Sequence, residues 1–235
     1  APAAQVASEI WLAEYTDTSA LAAFATACDV VTLEFENIPV EAVRAIEATG
    51  TPIYPGETSL ATAQDRVIEK RFLNEIGIKT ANFHPIHARV QIADALDDLG
   101  GCAILKTRRD GYDGKGQARL KSDADADTAF ADMQGAPAVL EGFINFTHEV
   151  SVIAARGIGG DVACFDPGEN VHKDGILDTT TVPANLTASQ RMDAVLLAAN
   201  ILNALDYVGV MGVELFVTSH GLIVNEIAPR VHNSG

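Results

Sequence analysis

The sequence predicts a mixed α/β fold of the α+β kind, and two patterns among its 235 residues predict it. Near the start, a helical run from Ser19 to Cys28 leads into a short apolar run, Val30–Phe35, as in the last part of an α/β domain. Near the end, two strand-like runs, Val208–Val217 and Leu222–Ile227, flank the turn residues Ser219–Gly221. Helical and strand-like segments therefore occur side by side along the chain.

A Pro- and Gly-rich passage, Thr51–Gly56, predicts a boundary between two units, residues 1–60 and residues 61–235. The first unit also contains a predicted helix at 40–48, which is closed by Gly50. In the second unit, short apolar runs predict buried strands at Cys102–Leu105, Ala138–Leu140 and Val150–Ala155.

Two helices of the second unit are predicted from residue spacing and from capping. The first runs from Thr62 to Ile76, because Ile68, Phe72 and Ile76 follow one another at a spacing of four and Gly77 is a C-terminal stop. The second follows a capping box that begins at Thr187, in which Thr and Gln side chains satisfy free backbone N–H groups. Met192, Val195, Ala199 and Leu202 share one face of this predicted helix.

The charge of the chain limits the partners that it can have. Asp and Glu number 32 against 16 Lys and Arg, which gives a formal net charge of -16. Such a surface repels nucleic acid and anionic membranes, so we expect neither as a partner. An anionic substrate would therefore need a local basic pocket. The three cysteines are far apart and form no disulfide framework, which favours a reducing compartment.

Two glutamates of the terminal hairpin predict a metal site. A three-residue loop, Ser219–Gly221 with a positive φ at Gly221, would pair Thr218 with Leu222 and hence Glu214 with Glu226. Like charges directly opposite each other destabilise a sheet, and a divalent cation such as Mg²⁺ between them removes the conflict. In the alternative interpretation, one glutamate is exposed and the other forms an ion pair.

A glycine-rich loop after the strand ending at Leu105 supplies the basic pocket that the acidic chain otherwise lacks. Its glycines free the backbone for close approach to an anion, and its cationic side chains add positive charge. The pattern is neither a Walker loop nor a dinucleotide fingerprint, since no GK[ST] ends it and a strand follows. A solvated hairpin tip remains the alternative, and a lid over phosphates is the functional role that we expect. The loop runs from Lys106 through Gly111, Gly114 and Gly116 to Gln117.

Three further segments carry polar groups that a nucleotide could use. The extended run Glu141–Ile144 offers backbone to an adenine edge, and Glu149 offers a carboxylate to ribose hydroxyls. Exposed surface glutamates are the alternative for both. His172 is predicted in a polar loop, where a structural role is as good an explanation. The tail Asn225–Gly235 is dense in polar donors directly after the predicted metal strand, although a solvated terminus would also explain it.

Taken together, these strings resemble the 5-(carboxyamino)imidazole ribonucleotide synthetases, a family of the ATP-grasp superfamily. The resemblance covers nearly the whole chain and depends on the strings at 34–39, 64–66, 106–117, 169–172, 214 and 225–235. It implies an ATP-grasp fold with a lid subdomain at about residues 80–140, preceded in 1–60 by the tail of a Rossmann-like pre-ATP-grasp domain. It also implies a glycine-rich strand and loop before residue 1 and a C-terminal domain after residue 235.

The resemblance further implies a set of site residues. ATP would contact Arg66, Lys106, Gly111, Tyr112, Asp113, Gly114, Lys115, Gly116, Gln117, Glu141, Gly142, Phe143, Ile144, Glu149, His172, Asn225 and Glu226. Mg²⁺ or Mn²⁺ would be held by Glu214 and Glu226. Bicarbonate or aminoimidazole ribonucleotide would face Tyr112, Asp113, Lys115, Arg230, His232, Asn233 and Ser234, with Lys115 and Arg230 in catalytic roles.

The implied activity is ATP-dependent carboxylation of aminoimidazole ribonucleotide through carboxyphosphate, in purine biosynthesis. The implied setting is a cytoplasmic enzyme that acts on small molecules and forms a homodimer at full length. Two alternatives remain open from the residues themselves: another ATP-grasp carboxylate–amine ligase, and a nucleotide-binding module without catalysis.

Overall fold

A computed structural model describes residues 2–111, 116–173 and 175–235. It contains one two-stranded, one four-stranded and one six-stranded sheet, each with its own hydrophobic core. Within these ranges, every helix is too short or too polar to cross a membrane.

The helices and strands are numbered here in chain order. The α-helices are α1 (Thr18–Thr26), α2 (Val40–Glu47), α3 (Glu57–Ala63), α4 (Arg66–Glu75), α5 (Ile92–Asp98), α6 (Ala126–Asp132) and α7 (Ala188–Ala204). The strands are β1 (Val31–Thr32), β2 (Ile53–Tyr54), β3 (Phe83–Ile86), β4 (Ala103–Thr107), β5 (Gln117–Leu120), β6 (Ala138–Gly142), β7 (His148–Arg156), β8 (Val162–Cys164), β9 (Gly168–Lys173), β10 (Ile176–Thr181), β11 (Gly209–Thr218) and β12 (Gly221–Ala228). Short 3-10 helices precede α1, α5 and α6.

The first unit is a small α/β layer. The parallel strands β1 and β2 share a core with α1, α2 and α3. The predicted helices are present, but the predicted strand Val30–Phe35 is reduced to Val31–Thr32. Its partner strand is equally short because Pro55 follows Tyr54 directly and has no N–H to donate to a ladder.

The four-stranded sheet has the order β3-β6-β4-β5, with every neighbouring pair antiparallel. Helices α5 and α6 cover it, and the core between them is fully apolar. The strands predicted near Cys102 and Ala138 are confirmed as β4 and β6. This sheet spans residues 83–142, and its movement as a lid remains a prediction.

The six-stranded sheet has the order β10-β9-β7-β11-β12, with β8 paired to β7. Helix α7 packs on it, and the capping box at Thr187 is confirmed. The face shared by Met192, Val195, Ala199 and Leu202 is mixed, since Met192 is 59% exposed and Leu202 is buried. The helix is Ala- and Leu-rich on most sides, so spacing alone defines no single face. The buried residues are Ala194, Ala198, Ile201 and Leu202.

The helix predicted from Thr62 to Ile76 is two helices, α3 and α4, which meet at Asp65. The Asp65 carboxylate accepts hydrogen bonds from Val67 N (3.0 Å) and Ile68 N (3.4 Å), which makes it an N-cap and begins a new helix there. Of the three residues at spacing four, Phe72 and Ile76 pack against the core, whereas Ile68 is 41% exposed. Helix α4 instead buries Val67, Glu69, Lys70 and Leu73.

Candidate active site

The pairing of Glu214 with Glu226 across β11 and β12 is confirmed, although the predicted turn is wrong. The loop has two residues rather than three, so Thr218 pairs with Gly221 instead of Leu222. The resulting error of one residue is cancelled by a β-bulge, since Leu215 pairs with Val224 and the next pair is Glu214–Glu226. Asn225 is the extra residue. Gly221 has the predicted positive φ of 115°.

Each of the paired glutamates has a cationic or protonatable neighbour. Arg66 Nη1 donates to Glu226 Oε2 at 2.8 Å, and His232 Nε2 lies 3.2 Å from Glu214 Oε1. Burial acts to raise the pKa of Glu226, but the positive charges of Arg66, Lys106 and Lys70 lower it to about 2. Glu226 is therefore ionised at neutral pH. The alternative interpretation is right that one glutamate forms an ion pair, since Glu226 pairs with Arg66. It is wrong that the other is exposed, since the Glu214 side chain is only 13% exposed.

The donor set around these carboxylates fits a cation that also binds phosphate and water. In the ranges that the structure describes, no group of three or more His, Cys, Asp or Glu side chains is arranged to hold a metal. Mg²⁺ needs fewer, because it keeps several waters and binds through one or two carboxylates and substrate phosphates. A third oxygen lies in the bulge, where Asn225 Oδ1 is buried without a hydrogen-bond partner among the described residues. Two carboxylates and one unsatisfied carbonyl oxygen are the chemistry that Mg²⁺ or Mn²⁺ prefers.

Glu141 is held between two lysines instead of lying on the surface. Its Oε2 accepts from Lys106 Nζ at 2.9 Å, and its Oε1 lies 3.3 Å from Lys70 Nζ. Burial acts to raise the pKa of Glu141, but the two lysines lower it, with Lys106 the stronger influence. The carboxylate orients Lys106, whose side chain is still 12% exposed.

The extended run after Glu141 has part of its backbone already bonded within the protein. Gly142 N donates to Asn82 O at 2.8 Å, and Phe143 N donates to Cys102 O at 3.1 Å. Hydrogen bonds to an adenine edge would therefore use the carbonyls of this run or the N–H of Ile144. The Arg119 guanidinium lies 4.0 Å from the centroid of the Phe143 ring and covers one face of it.

His172 lies in strand β9, so its predicted placement in a polar loop is wrong. The run Glu169–Lys173 lacks the apolar alternation of a half-buried strand, because Val171, His172 and Lys173 are all exposed. His172 Nδ1 is 3.3 Å from Glu149 Oε2. Burial raises the pKa of Glu149, and nearby Glu214 and Glu226 raise it further against the influence of His172.

The terminal tail folds back onto the sheet, which contradicts the solvated-terminus alternative for its buried part. His232 Nδ1 lies 2.8 Å from Ser234 Oγ, and Ser151 Oγ on β7 donates to Ser234 Oγ at 2.7 Å. The imidazole packs over Gly212, where an added Cβ would be 2.8 Å from His232 Cγ. Asn233, by contrast, is exposed.

Arg230 connects the tail to the first unit. Its Nε donates to Glu36 Oε2 at 3.1 Å. Burial raises the pKa of Glu36 against the opposing charge of Arg230. Glu36 was not among the predicted site residues, and its signal was the EFENIP string at 34–39, which the sequence analysis used only for the resemblance.

The described ends of the glycine-rich loop are anchored to α4. Arg66 N donates to Arg108 O at 3.0 Å, and the Arg108 guanidinium makes two hydrogen bonds to Asp65, at 3.0 and 2.7 Å. Gly116 has a φ of 70° and accepts from Thr107 N through its carbonyl. The strand predicted after the loop is confirmed as β5. The predicted residues Tyr112, Asp113, Gly114 and Lys115 lie outside the described residues.

An open cleft brings part of the predicted set together. Among the predicted residues, Arg66, Gly111, Glu226, Arg230 and His232 line it. The predicted adenine and ribose residues Glu141–Ile144, Glu149 and His172 do not line this cleft. The cleft is also lined by Arg108 and Arg109, two cations of the predicted basic loop, and by Glu36, Gln64 and Glu69, which sequence reasoning did not assign to the site.

Comparisons with known proteins identify the family to which the chain belongs. Residues 71–235 match the model of the ATP-grasp domain, and residues 1–64 match that of the ribonucleotide synthetase preATP-grasp domain. The N5-carboxyaminoimidazole ribonucleotide synthase of Brucella melitensis biotype 1 is 53% identical over 237 residues, which are 100% of this chain and 65% of that protein.

Two solved structures are similar over the entire chain. The ADP complex of the N5-carboxyaminoimidazole ribonucleotide synthetase purK has a TM-score of 0.95 and 37% identity, and the match covers 100% of this chain and 62% of that one. The Aspergillus clavatus N5-carboxyaminoimidazole synthase, in complex with ADP and 5-aminoimidazole ribonucleotide, has a TM-score of 0.91 and 27% identity, with coverage of 100% and 62%. The chain thus spans somewhat less than two thirds of the length of these relatives.

Proposed function

The chain belongs to the ATP-grasp family, and from that premise we propose that the protein carboxylates 5-aminoimidazole ribonucleotide with bicarbonate at the expense of ATP. The products are N5-carboxyaminoimidazole ribonucleotide, ADP and phosphate, in purine biosynthesis. The observation that carries the proposal is the Glu214–Glu226 pair, of which Glu226 lines a cleft together with Arg66, Arg230 and His232. The relatives that bind ADP and the ribonucleotide support the choice of substrates.

The proposed ATP site extends from the two lysine-linked strands to the paired glutamates. The backbone of 141–144 takes the adenine, and the carboxylate of Glu149, held by His172, takes the ribose. Lys106 and Arg66 are the cations assigned to the phosphates, together with the loop from Gly111 to Gln117. Arg66 suits this role because its guanidinium is held by Glu226 and its side chain is still 19% exposed.

Glu214, Glu226 and the Asn225 side chain would hold Mg²⁺ or Mn²⁺. A divalent cation there supplies charge neutralisation for the phosphate oxygens during transfer. Because the pKa of Glu226 is about 2, its carboxylate needs no deprotonation before it binds a cation at neutral pH.

Bicarbonate and the ribonucleotide are assigned to the tail and the loop, at Arg230, His232, Asn233 and Ser234 together with Tyr112, Asp113 and Lys115. A bicarbonate oxygen attacks the γ-phosphorus of ATP, the bond to the β,γ-bridging oxygen breaks, and ADP leaves. The resulting carboxyphosphate transfers its carboxyl group, as carbon dioxide or its equivalent, to the exocyclic amine, and phosphate leaves with the proton that the amine loses. Arg230 and Lys115 stabilise the anionic charge that develops in both steps.

The setting proposed for the enzyme is the cytoplasm, since its substrates are soluble metabolites and its cysteines are unpaired in the structure. A homodimer is proposed at full length. Neither nucleic acid nor a membrane is a proposed partner, in keeping with the net charge of -16.

The test is an assay of ADP release by the full-length protein, with bicarbonate and aminoimidazole ribonucleotide each present or absent. We expect ADP release to require bicarbonate, and ¹³C-labelled bicarbonate to appear in the ribonucleotide product. ADP release that depends on a different acid and amine would assign the protein to another ATP-grasp ligase. Tight ATP binding without ADP release under any of these conditions would indicate a non-catalytic nucleotide-binding module.

A further inference from the structure

Helix α4 buries two adjacent charged side chains that the proposed reaction does not use. Lys70 has 0% and Glu69 has 1% relative exposure, although Glu69 lies in the wall of the cleft. Burial costs an ionisable group its contacts with water, and Lys70 offsets part of that cost by pairing with Glu141 at 3.3 Å rather than with Glu69. Apolar residues of the same volume would avoid the cost. The presence of both polar side chains on the buried face therefore needs another explanation.

Both side chains bond to the backbone on either side of Glu226. Lys70 Nζ donates to Asn225 O at 3.2 Å, and Ile227 N donates to Glu69 Oε1 at 2.6 Å. Strand β12 is an edge strand, so these two backbone groups have no strand partner on their outer side. Two consecutive residues of α4 thus satisfy the two outward backbone groups that flank the metal carboxylate.

The bulge at Asn225 is what brings the two carboxylates together. On the turn side of the bulge, Leu215 pairs with Val224. On the other side, Glu214 pairs with Glu226, so the register of β12 is shifted by one residue. Continued without the bulge, that register would pair Glu226 with Val213 and Glu214 with Asn225. Because side chains alternate across a sheet, Glu226 would then leave the face that carries Glu214. The bulged register therefore decides whether a cation can be shared.

Lys70 also connects this strand to the other sheet of the site. Its ammonium lies 3.3 Å from Glu141 Oε1, while Lys106 donates to the other oxygen of the same carboxylate. The proposed adenine-side strand β6 and the metal-side strand β12 are therefore both bonded to one residue of α4. The proposed cation-binding strand and the proposed nucleotide-binding strand are thus held by the same residue, Lys70.

We propose that Glu69 and Lys70 form a clamp that maintains the bulged register of β12 and so positions Glu226 opposite Glu214 for a shared divalent cation. They are positioning residues, since they act through the backbone of β12. The proposal rests on the proposed function, because it concerns the same cation site. It adds two residues whose contribution is to metal affinity rather than to nucleotide contact.

The test compares full-length variants by Mn²⁺ titration in the presence of ADP, with unbound Mn²⁺ measured by electron paramagnetic resonance. Lys70→Met and Glu69→Met keep the side-chain volume and remove the contacts, and we expect each to weaken Mn²⁺ binding by about tenfold or more. Glu69→Gln retains an oxygen that accepts from Ile227 N, so we expect its affinity to stay within about threefold of the wild type. Glu75, on the same helix, and Lys79 are exposed, and their substitutions Glu75→Met and Lys79→Met are the matched controls. Both should leave the Mn²⁺ affinity unchanged.

The outcomes separate the clamp from a purely structural role and from the proposed function. If Lys70→Met and Glu69→Met lower the melting temperature but bind Mn²⁺ as the wild type does, the clamp is refuted. If Glu69→Gln loses as much affinity as Glu69→Met, rescue by the conservative variant fails and the clamp is likewise refuted. A wild-type protein that binds no Mn²⁺ with ADP overturns the proposed function itself.

A second measurement needs no variant and remains decisive if one of them fails to fold. In the wild type, we expect the amide of Ile227 to exchange with solvent deuterium as slowly as the paired amides of β11, because Glu69 accepts from it in the interior. Fast exchange at Ile227, on an otherwise protected hairpin, would refute the clamp.

Discussion

Glu226→Gln is the substitution that separates a metal ligand from a partner in an ion pair. In the structure Glu226 is 2.8 Å from Arg66, and its pKa is about 2 instead of the usual 4.5. A shift of that size corresponds to about 3 kcal/mol of folding stability at neutral pH. The Glu226 side chain is 36% exposed, so solvent screening reduces the figure. We expect a loss of about 1–2 kcal/mol.

The pH dependence of this contribution follows from the direction of the shift. A carboxyl with a depressed pKa stabilises the folded state above its unfolded value of 4.5, and the stabilisation is lost as the pH falls from there through about 2. Urea unfolding at pH 7 and at pH 3 measures it. The wild type should exceed Glu226→Gln in stability at pH 7, and the difference should shrink at pH 3.

Activity decides between the two roles. As a metal ligand, Glu226 is needed for turnover, and we expect Glu226→Gln to lower ADP release by about a hundredfold or more. Glu214→Gln is the matched variant. It lacks the partner Arg66, so we expect a smaller change in stability and the same loss of turnover. Normal turnover in either variant, after correction for the folded fraction, would refute the reasoning.

The remaining predictions concern the elements around the carboxylates. Asp65→Asn and Arg108→Gln should show a coupling energy of about 1–2 kcal/mol in a double-mutant cycle by urea unfolding, since their two hydrogen bonds are charge-assisted; additive losses would contradict this. Gly212→Ala should lower turnover together with melting temperature, because the new Cβ displaces the His232 ring, and unaffected turnover would contradict that position for the imidazole. Gly221→Ala is its control: the positive φ of 115° makes it destabilising by about 1 kcal/mol, but open space around it should leave turnover unchanged.

Sequence reasoning predicted elements well where one residue type has one structural meaning. The capping box at Thr187 and the positive φ of Gly221 were both recognised and are confirmed. It failed where one pattern permits several structures. Helix α7 is apolar on most sides, so residue spacing could not identify the face that packs on the sheet.

The metal pair shows how a correct prediction can rest on a wrong step. The turn was taken as one residue too long, and the bulge at Asn225 added the residue that restored the Glu214–Glu226 pair. No local sequence pattern predicts that bulge, since Glu69 and Lys70 stabilise it from a helix that is distant in sequence. The same long-range contacts explain why Asp65, Glu69 and Lys70 were missed: their partners can be recognised only once the chain is folded.

The most direct test of the central claim is the position of the metal in a crystal of the full-length protein grown with ADP and Mn²⁺. Anomalous scattering locates Mn²⁺ without ambiguity from water. We expect one Mn²⁺ at about 2.1 Å from a carboxylate oxygen of both Glu214 and Glu226, with a phosphate oxygen of ADP as a further ligand. ADP bound with its metal elsewhere, and with the two carboxylates directed apart, would contradict the account.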